Sequence, residues 1–139
     1  MSLIQFKYNV NDVITQSYQY GSDANGNVCS VINISSFNLY DSNDINIGYV
    51  EFIDNGVATK STNNFQNSDQ LYNEIGCFFI KDKGTITYNI SFEASSSSFE
   101  SNIVIPTIIS DTGIYYRKTD QIVINPFSDG RRNVWVSLK

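Results

Sequence analysis

Alternation of apolar and polar residues, without helical periodicity, is the feature that most limits the fold of this chain. In the segment TITYNISF (85–92), one face carries Ile86, Tyr88, Ile90 and Phe92, and the other carries only Thr, Asn and Ser. Successive side chains of a β-strand point to opposite faces of its sheet. No window of the sequence repeats apolar residues at the i, i+3, i+4, i+7 spacing of an amphipathic helix. We therefore predict an all-β protein.

Segments rich in β-branched and aromatic residues, separated by turn residues, predict about eight strands. They are residues 3–8, 28–40, 47–53, 71–80, 85–94, 103–109, 113–124 and 132–138. Asp54-Asn55-Gly56 and residues 81–84 are predicted turns, and Pro106 predicts an edge or a bulge because it cannot donate to a ladder. With 139 residues, we expect one domain over residues 1–139. We predict an eight-stranded antiparallel barrel, with a two-layer β-sandwich as the alternative.

Charge argues against some partners. The net charge is −5, whereas binding to nucleic acid or an anionic membrane needs clustered Lys and Arg. The adjacent basic pairs, Arg117-Lys118 and Arg131-Arg132, are interpreted as solvated turns. No apolar stretch reaches membrane-spanning length, and no secretory apolar region stands at the N-terminus. We expect no nucleic-acid partner and no membrane span, and the compartment stays open.

The absence of histidine limits the chemistry. The chain contains no His, so a Ser-His-Asp or Cys-His site cannot form within it. Cys29 and Cys77 are the two cysteines and show no metal-ligand spacing. We predict no metal and no cofactor. One disulfide or two buried free thiols are both compatible with two cysteines, and the free thiols are favoured.

Three segments resemble the dirigent and allene oxide cyclase family. IISDTGIYY (108–116) is similar to its "I-x-G-G-[ST]-G-x-[FY]" hairpin, and CFFIKDKGTITYNISF (77–92) to its "F-x-F-x-D-x-G-x-[LI]-x-[VI]" hairpin. FNLYDSNDINIGYVEFID (37–54) resembles the strands around its second loop. Order and spacing agree over residues 28–138. The resemblance implies an eight-stranded antiparallel barrel, commonly a homotrimer, with an apolar pocket inside the barrel.

The chain departs from the family at several motif positions. Ser110 and Asp111 stand where the family has two glycines, and Lys118 and Asp120 replace a later Ala and Gly. The Glu-x-Asn pair of the cyclases is missing from the first strand, where Tyr8 and Val10 lie in the neighbourhood. The resemblance therefore implies the scaffold and no catalytic residue.

Two residues are the candidates for proton transfer. Glu51 shares a strand face with Tyr49 and Ile53. If that face lines the lumen, burial would raise the pKa of the Glu51 carboxyl and suit it to proton transfer. If Val50 and Phe52 point inward instead, Glu51 is solvated, and this facing is favoured because unpaired buried Glu is rare. Tyr88 lies on an apolar face and is either a ligand-orienting hydroxyl or a core tyrosine.

Other aromatic residues are candidates for the lumen or an interface. Tyr49 and Trp135 are placed in the lumen, together with Glu51 and Tyr88, with a subunit contact as the alternative for Trp135. Tyr116 and Arg117 are candidates for an oligomer interface, where both residue types are enriched.

Three functions remain open on this evidence. The first is a non-enzymatic structural or binding protein on a dirigent-like, trimeric barrel. The second is a cofactor-free isomerase or cyclase acting on a hydrophobic small molecule in the lumen. The third is a carbohydrate-binding module that uses exposed Tyr or Trp. The first is favoured because the chain lacks His and a recognisable acid pair.

Overall fold

A computed structural model describes residues 2–11, 14–22, 28–58, 70–94, 103–127 and 129–139. For residues 14–22, 28–29 and 94 it describes the backbone alone. Nine strands occur in these ranges, in the order β1 (Ser2–Asn9), β2 (Ile14–Ser22), β3 (Val28–Tyr40), β4 (Asn46–Ala58), β5 (Gln70–Ile80), β6 (Gly84–Ala94), β7 (Thr107–Asp111), β8 (Thr119–Pro126) and β9 (Arg131–Leu138). No α-helix occurs in the described residues, and the prediction of an all-β protein is confirmed.

One antiparallel sheet contains all nine strands. Eight follow the order β7-β6-β5-β4-β3-β1-β9-β8, and β2 pairs with β3 off this path. The two ends of the path meet at Val104 and Ile124, whose backbones exchange hydrogen bonds of 2.9 and 2.8 Å. The sheet is thus nearly closed into an eight-stranded barrel, as predicted. Among the described residues this is the one bridge that joins the two ends, and β7 and β8 share no continuous ladder there.

The interior is packed by inward-facing side chains of the barrel strands and by one turn residue, and β7 contributes the partly buried Ile108. Phe6 and Phe78 make an edge-to-face contact with their ring centroids 5.1 Å apart, and the Phe78 ring stacks on Tyr88 at 5.2 Å. The rest of this fully buried layer comprises Leu39, Val50, Ile86, Tyr115, Ile122, Val134 and Val136. Apolar burial of this kind supplies most of the stabilisation of a small domain.

Several strands differ from the predicted ones in their bounds or their presence. The predicted turn at Asp54-Asn55-Gly56 is wrong, because β4 continues through it to Ala58. Asn55 pairs with Ile32 on one side and Asn73 on the other, so pairing on both edges overrides the turn propensity of these residues. A strand at residues 14–22, which the sequence did not predict, also pairs along β3.

The predicted strand at residues 113–124 begins only at Thr119. Gly113–Tyr115 form a turn of 3₁₀ helix instead, and Gly113 and Arg117 have φ of 67° and 59°. The Asp111 carboxylate accepts hydrogen bonds from the backbone N–H groups of Arg117, at 2.8 Å, and Thr119, at 3.1 Å. Partial burial acts to raise the pKa of Asp111, but these donors outweigh it and lower that pKa. Asp111 therefore closes the β7–β8 connection.

Pro106 lies between the Val104 bridge and the start of β7. It interrupts the predicted strand 103–109 at the seam where the barrel closes, which agrees with the edge position that was predicted for it. A register shift between Thr87 and Tyr88, opposite β7, adds a bulge next to the same seam.

Candidate functional site

A cavity of about 190 Å³, partly open to solvent, lies among β1, β4, β5, β6, β8 and β9. Its wall is mainly apolar and is formed by Val10, Phe52, Ile90, Phe92, Val104, Ile124 and Pro126. The polar residues that line it are Tyr8, Asp54, Glu74, Glu93 and Arg132. A mostly apolar cavity with a few converging polar groups is the usual form of a small-molecule site.

Two carboxyl groups meet in this cavity. Asp54 on β4 and Glu74 on β5 are direct cross-strand partners, and both lie on the inward face of the sheet. The Asp54 side chain is deeply buried, at 9% exposure. Burial, a hydrogen bond to Glu74 and the charge of Glu74 together raise the pKa of Asp54 to about 10. At neutral pH Asp54 therefore carries a proton and donates it in a hydrogen bond to the Glu74 carboxylate.

The second oxygen of Asp54 supports a neutral carboxyl. Its Oδ1 atom is buried and has no hydrogen-bond partner among the described residues. An ionised carboxylate in that position would carry unsolvated charge, which costs far more free energy than a buried neutral group.

Two tyrosines complete the polar cluster. The Tyr88 hydroxyl donates a hydrogen bond of 2.7 Å to Oε2 of Glu74. Burial, and then the charge of Glu74, raise the pKa of Tyr88 well above its ordinary range. Burial and the charge of Glu74 also raise the pKa of Tyr8, although the nearby Arg132 acts in the opposite direction. Both phenols are therefore neutral hydrogen-bond donors at physiological pH.

Arg132 on β9 is the direct cross-strand partner of Tyr8. Its Nη1 atom donates hydrogen bonds to the backbone oxygens of Arg131, at 3.1 Å, and Phe127, at 3.4 Å. These contacts hold the guanidinium towards the β8–β9 turn, at the edge of the cavity.

The structure places the predicted lumen residues on both sides of the barrel wall. Tyr88 points inward and is fully buried. Tyr49, at 41% exposure, and Glu51 lie on the outer face, because Val50, Phe52 and Asp54 occupy the inward face of β4. Trp135 also faces outward, since its neighbours Val134 and Val136 are fully buried.

The lumen placement of Tyr49, Glu51 and Trp135 is therefore corrected, and Glu51 adopts the solvated facing that was favoured for it. Tyr116, at 60% exposure, and Arg117 lie on the surface, with the guanidinium carbon 5.3 Å from the centre of the Tyr116 ring. Their assignment to an interface stays a prediction. Cys77 is a free thiol on the outer face and half-buried, while the Cys29 side chain lies outside the described part of the chain.

Sequence reasoning missed the acid pair because it ended β4 before Asp54. The signal was present in the alternation itself. Val50, Phe52 and Asp54 share one phase in the sequence, so a strand extended past Ile53 places the Asp54 carboxyl inside. Glu74 shares its phase with Phe78 and Ile80 on β5 in the same way.

The described residues contain neither a metal-binding cluster nor a membrane-spanning helix. Within those ranges, no group of three or more His, Cys, Asp or Glu side chains is placed to hold a metal ion. No helix in the same ranges has the length and apolar character needed to cross a bilayer.

Comparison of the sequence with protein-family models gives no match, and comparison with curated proteins finds no significant similarity. The resemblance to the dirigent and allene oxide cyclase family therefore stays a prediction from the quoted motifs. The chemistry proposed for the cavity is therefore inferred from the residues that line it.

The raised pKa of Asp54 makes a testable prediction for stability. Its folded pKa lies above the ordinary value of 3.8, so the folded chain holds a proton that the unfolded chain has released at neutral pH. Stability from this group is present at low pH and is lost as pH rises from about 4 towards the folded pKa. Asp54→Asn keeps a donor to Glu74 and cannot ionise. We expect it to be more stable than the wild type at pH 8, on the order of 2 kcal/mol.

Urea unfolding measured from pH 4 to pH 9 tests this expectation, and the difference should shrink towards pH 4. Glu51→Gln, on the outer face of the same strand, is the matched control and should keep the pH profile of the wild type. A stability difference between the variant and the wild type that stays constant from pH 4 to pH 9 would contradict the raised pKa of Asp54.

Proposed function

We propose that this barrel binds a compact, mainly apolar small molecule in its cavity and holds the polar group of that molecule at the Asp54–Glu74 pair. The observation that carries the proposal is the meeting of these two carboxyls in a mainly apolar cavity of about 190 Å³. A cavity of roughly 150 Å³ lined by apolar side chains accommodates benzene. The expected ligand is therefore about the size of one ring with a short substituent.

A cofactor-free isomerase or cyclase is a second candidate, favoured by the hydrogen bond between the two carboxyls. The protonated Asp54 is a general acid and the Glu74 carboxylate is a general base. A substrate between them could gain a proton at one atom and lose one at another, without metal or redox chemistry. The Tyr88 hydroxyl, donating to Glu74, would position that base.

Assembly into a dirigent-like trimer is also part of the proposal. Ile34, Ile53 and Ile75 are direct cross-strand neighbours on β3, β4 and β5. Their side chains are 40%, 51% and 50% exposed on the outer face. Contiguous exposed apolar residues of this kind are typical of a protein–protein contact. The exposed Tyr116 and Arg117 provide a second surface suited to such a contact.

Titration with benzyl alcohol, followed by amide chemical shifts, tests the binding function. We expect saturable binding with a Kd of about 1 mM and shifts confined to strands around the cavity. Val104→Trp, which fills the cavity from its wall, should abolish binding, and Ile90→Phe should weaken it. Ile53→Trp on the outer face is the control and should leave binding unchanged. Binding that survives Val104→Trp in a folded variant would contradict the proposal, as would the absence of saturable binding in the wild type.

Light scattering after size-exclusion chromatography tests the assembly. A trimer has three times the chain mass of 15.7 kDa, and Ile53→Lys should dissociate it by placing a charge within the apolar contact. Ile109→Lys changes a residue of similar exposure, 53%, on β7, and should leave the mass unchanged. A monomer at micromolar concentration would rule out the trimer.

A further inference from the structure

The acid pair has no cation in contact with it among the described residues. Glu74 lies on the inward face and is only partly exposed, and its described side-chain partners are the Tyr88 hydroxyl and Asp54. The other acidic residue of the lining, Glu93, is exposed to solvent, so water screens it. A partly buried acidic group without a cation beside it favours a ligand that brings positive charge.

Arg132 does not supply the missing charge at the acid pair. Its Nη1 atom is bonded to the carbonyl oxygens of Phe127 and Arg131. No hydrogen bond or ion pair joins its guanidinium to Glu74 or Asp54 among the described contacts. The guanidinium therefore lies at the edge of the cavity next to the β8–β9 turn, and its contacts are to backbone oxygens and not to the two carboxyls.

The acid pair also has spare capacity to accept hydrogen bonds. Asp54, nine-tenths buried, lines the cavity and has one oxygen, Oδ1, without a partner in the described part of the chain. Glu74 receives donors from Tyr88 and Asp54, whereas a carboxylate has about four acceptor sites. The site therefore lacks donors and positive charge at the same point.

The apolar wall next to the carboxyls is aromatic. Phe52, Phe92 and Tyr8 line the cavity, and Phe92 stacks on Tyr72 with ring centroids 5.3 Å apart. Aromatic faces attract an organic cation as well as its hydrocarbon body. A carboxylate with aromatic rings beside it provides both interactions.

We infer that the ligand of this cavity is a compact primary amine, bound as its ammonium ion, with the nitrogen at Glu74 and Asp54 and the apolar body against the aromatic wall. This inference rests on the proposed binding function and names the chemical class of the ligand. An ammonium brings one positive charge and three donors, which match the charge and the open acceptors of the site. An alcohol brings a single donor and no charge, and a carboxylate is repelled by Glu74.

Three probes of matched size distinguish these classes on the wild-type protein. Benzylamine, benzyl alcohol and benzoate are titrated at pH 7.5 by calorimetry and by amide chemical shifts. We expect benzylamine to bind at least tenfold more tightly than benzyl alcohol, and benzoate to show no saturable binding. Glu74→Gln should remove the preference, so that benzylamine binds the variant no more tightly than benzyl alcohol does. Glu51→Gln, exposed on the outer face of β4, is the control and should change neither affinity.

The outcomes test the amine assignment and the proposed binding function separately. Benzyl alcohol binding as tightly as benzylamine, or benzoate binding best through Arg132, would overturn the amine assignment and leave the binding function standing. Failure of all three probes to bind would overturn both. The ranking is measured on the wild-type chain, so it decides the question even if Glu74→Gln does not fold.

Discussion

A carboxyl group inside a barrel has to be neutral or fully compensated, and the chemistry of this protein follows from how Asp54 meets that constraint. The register between β4 and β5 places Asp54 directly opposite Glu74 on the inward face. Burial, the hydrogen bond to Glu74 and the charge of Glu74 raise the pKa of Asp54, so Asp54 keeps its proton and shares it with Glu74. The raised pKa values of Tyr8 and Tyr88, which depend in part on the charge of Glu74, are further consequences of that arrangement.

Space for the Tyr88 ring comes from Gly76, which lies on β5 together with Glu74. A Cβ atom at Gly76 would lie 2.3 Å from Cζ of Tyr88, so only glycine lets the phenol lie flat across β5. In that position the hydroxyl reaches Oε2 of Glu74. A Cβ atom at Gly56 would likewise lie 2.5 Å from Cε1 of the Tyr72 ring. Cross-strand packing of an aromatic ring over a glycine thus fixes where the polar groups of the cavity lie.

The sequence predicted the sheet better than the site, and the reason is physical. Alternation reports which residues share a face, and it placed Ile86 and Tyr88 together on an inward face, as the structure does. It does not report where a strand ends, because turn propensity and strand pairing compete at segments such as Asp54-Asn55-Gly56. Pairing with β3 and β5 decided that competition. The partner of Asp54 could not be found either, since the β4–β5 register depends on residues distant in sequence.

The central claim is that Asp54 is protonated in the folded protein at neutral pH. It is tested most directly by the carboxyl ¹³C chemical shift of Asp54, followed by NMR from pH 4 to pH 10 and assigned with the Asp54→Asn variant. The account predicts that Asp54 keeps the shift of a protonated carboxyl through pH 7 and titrates only well above it. A midpoint near the ordinary aspartate value of 3.8 would contradict the shared proton.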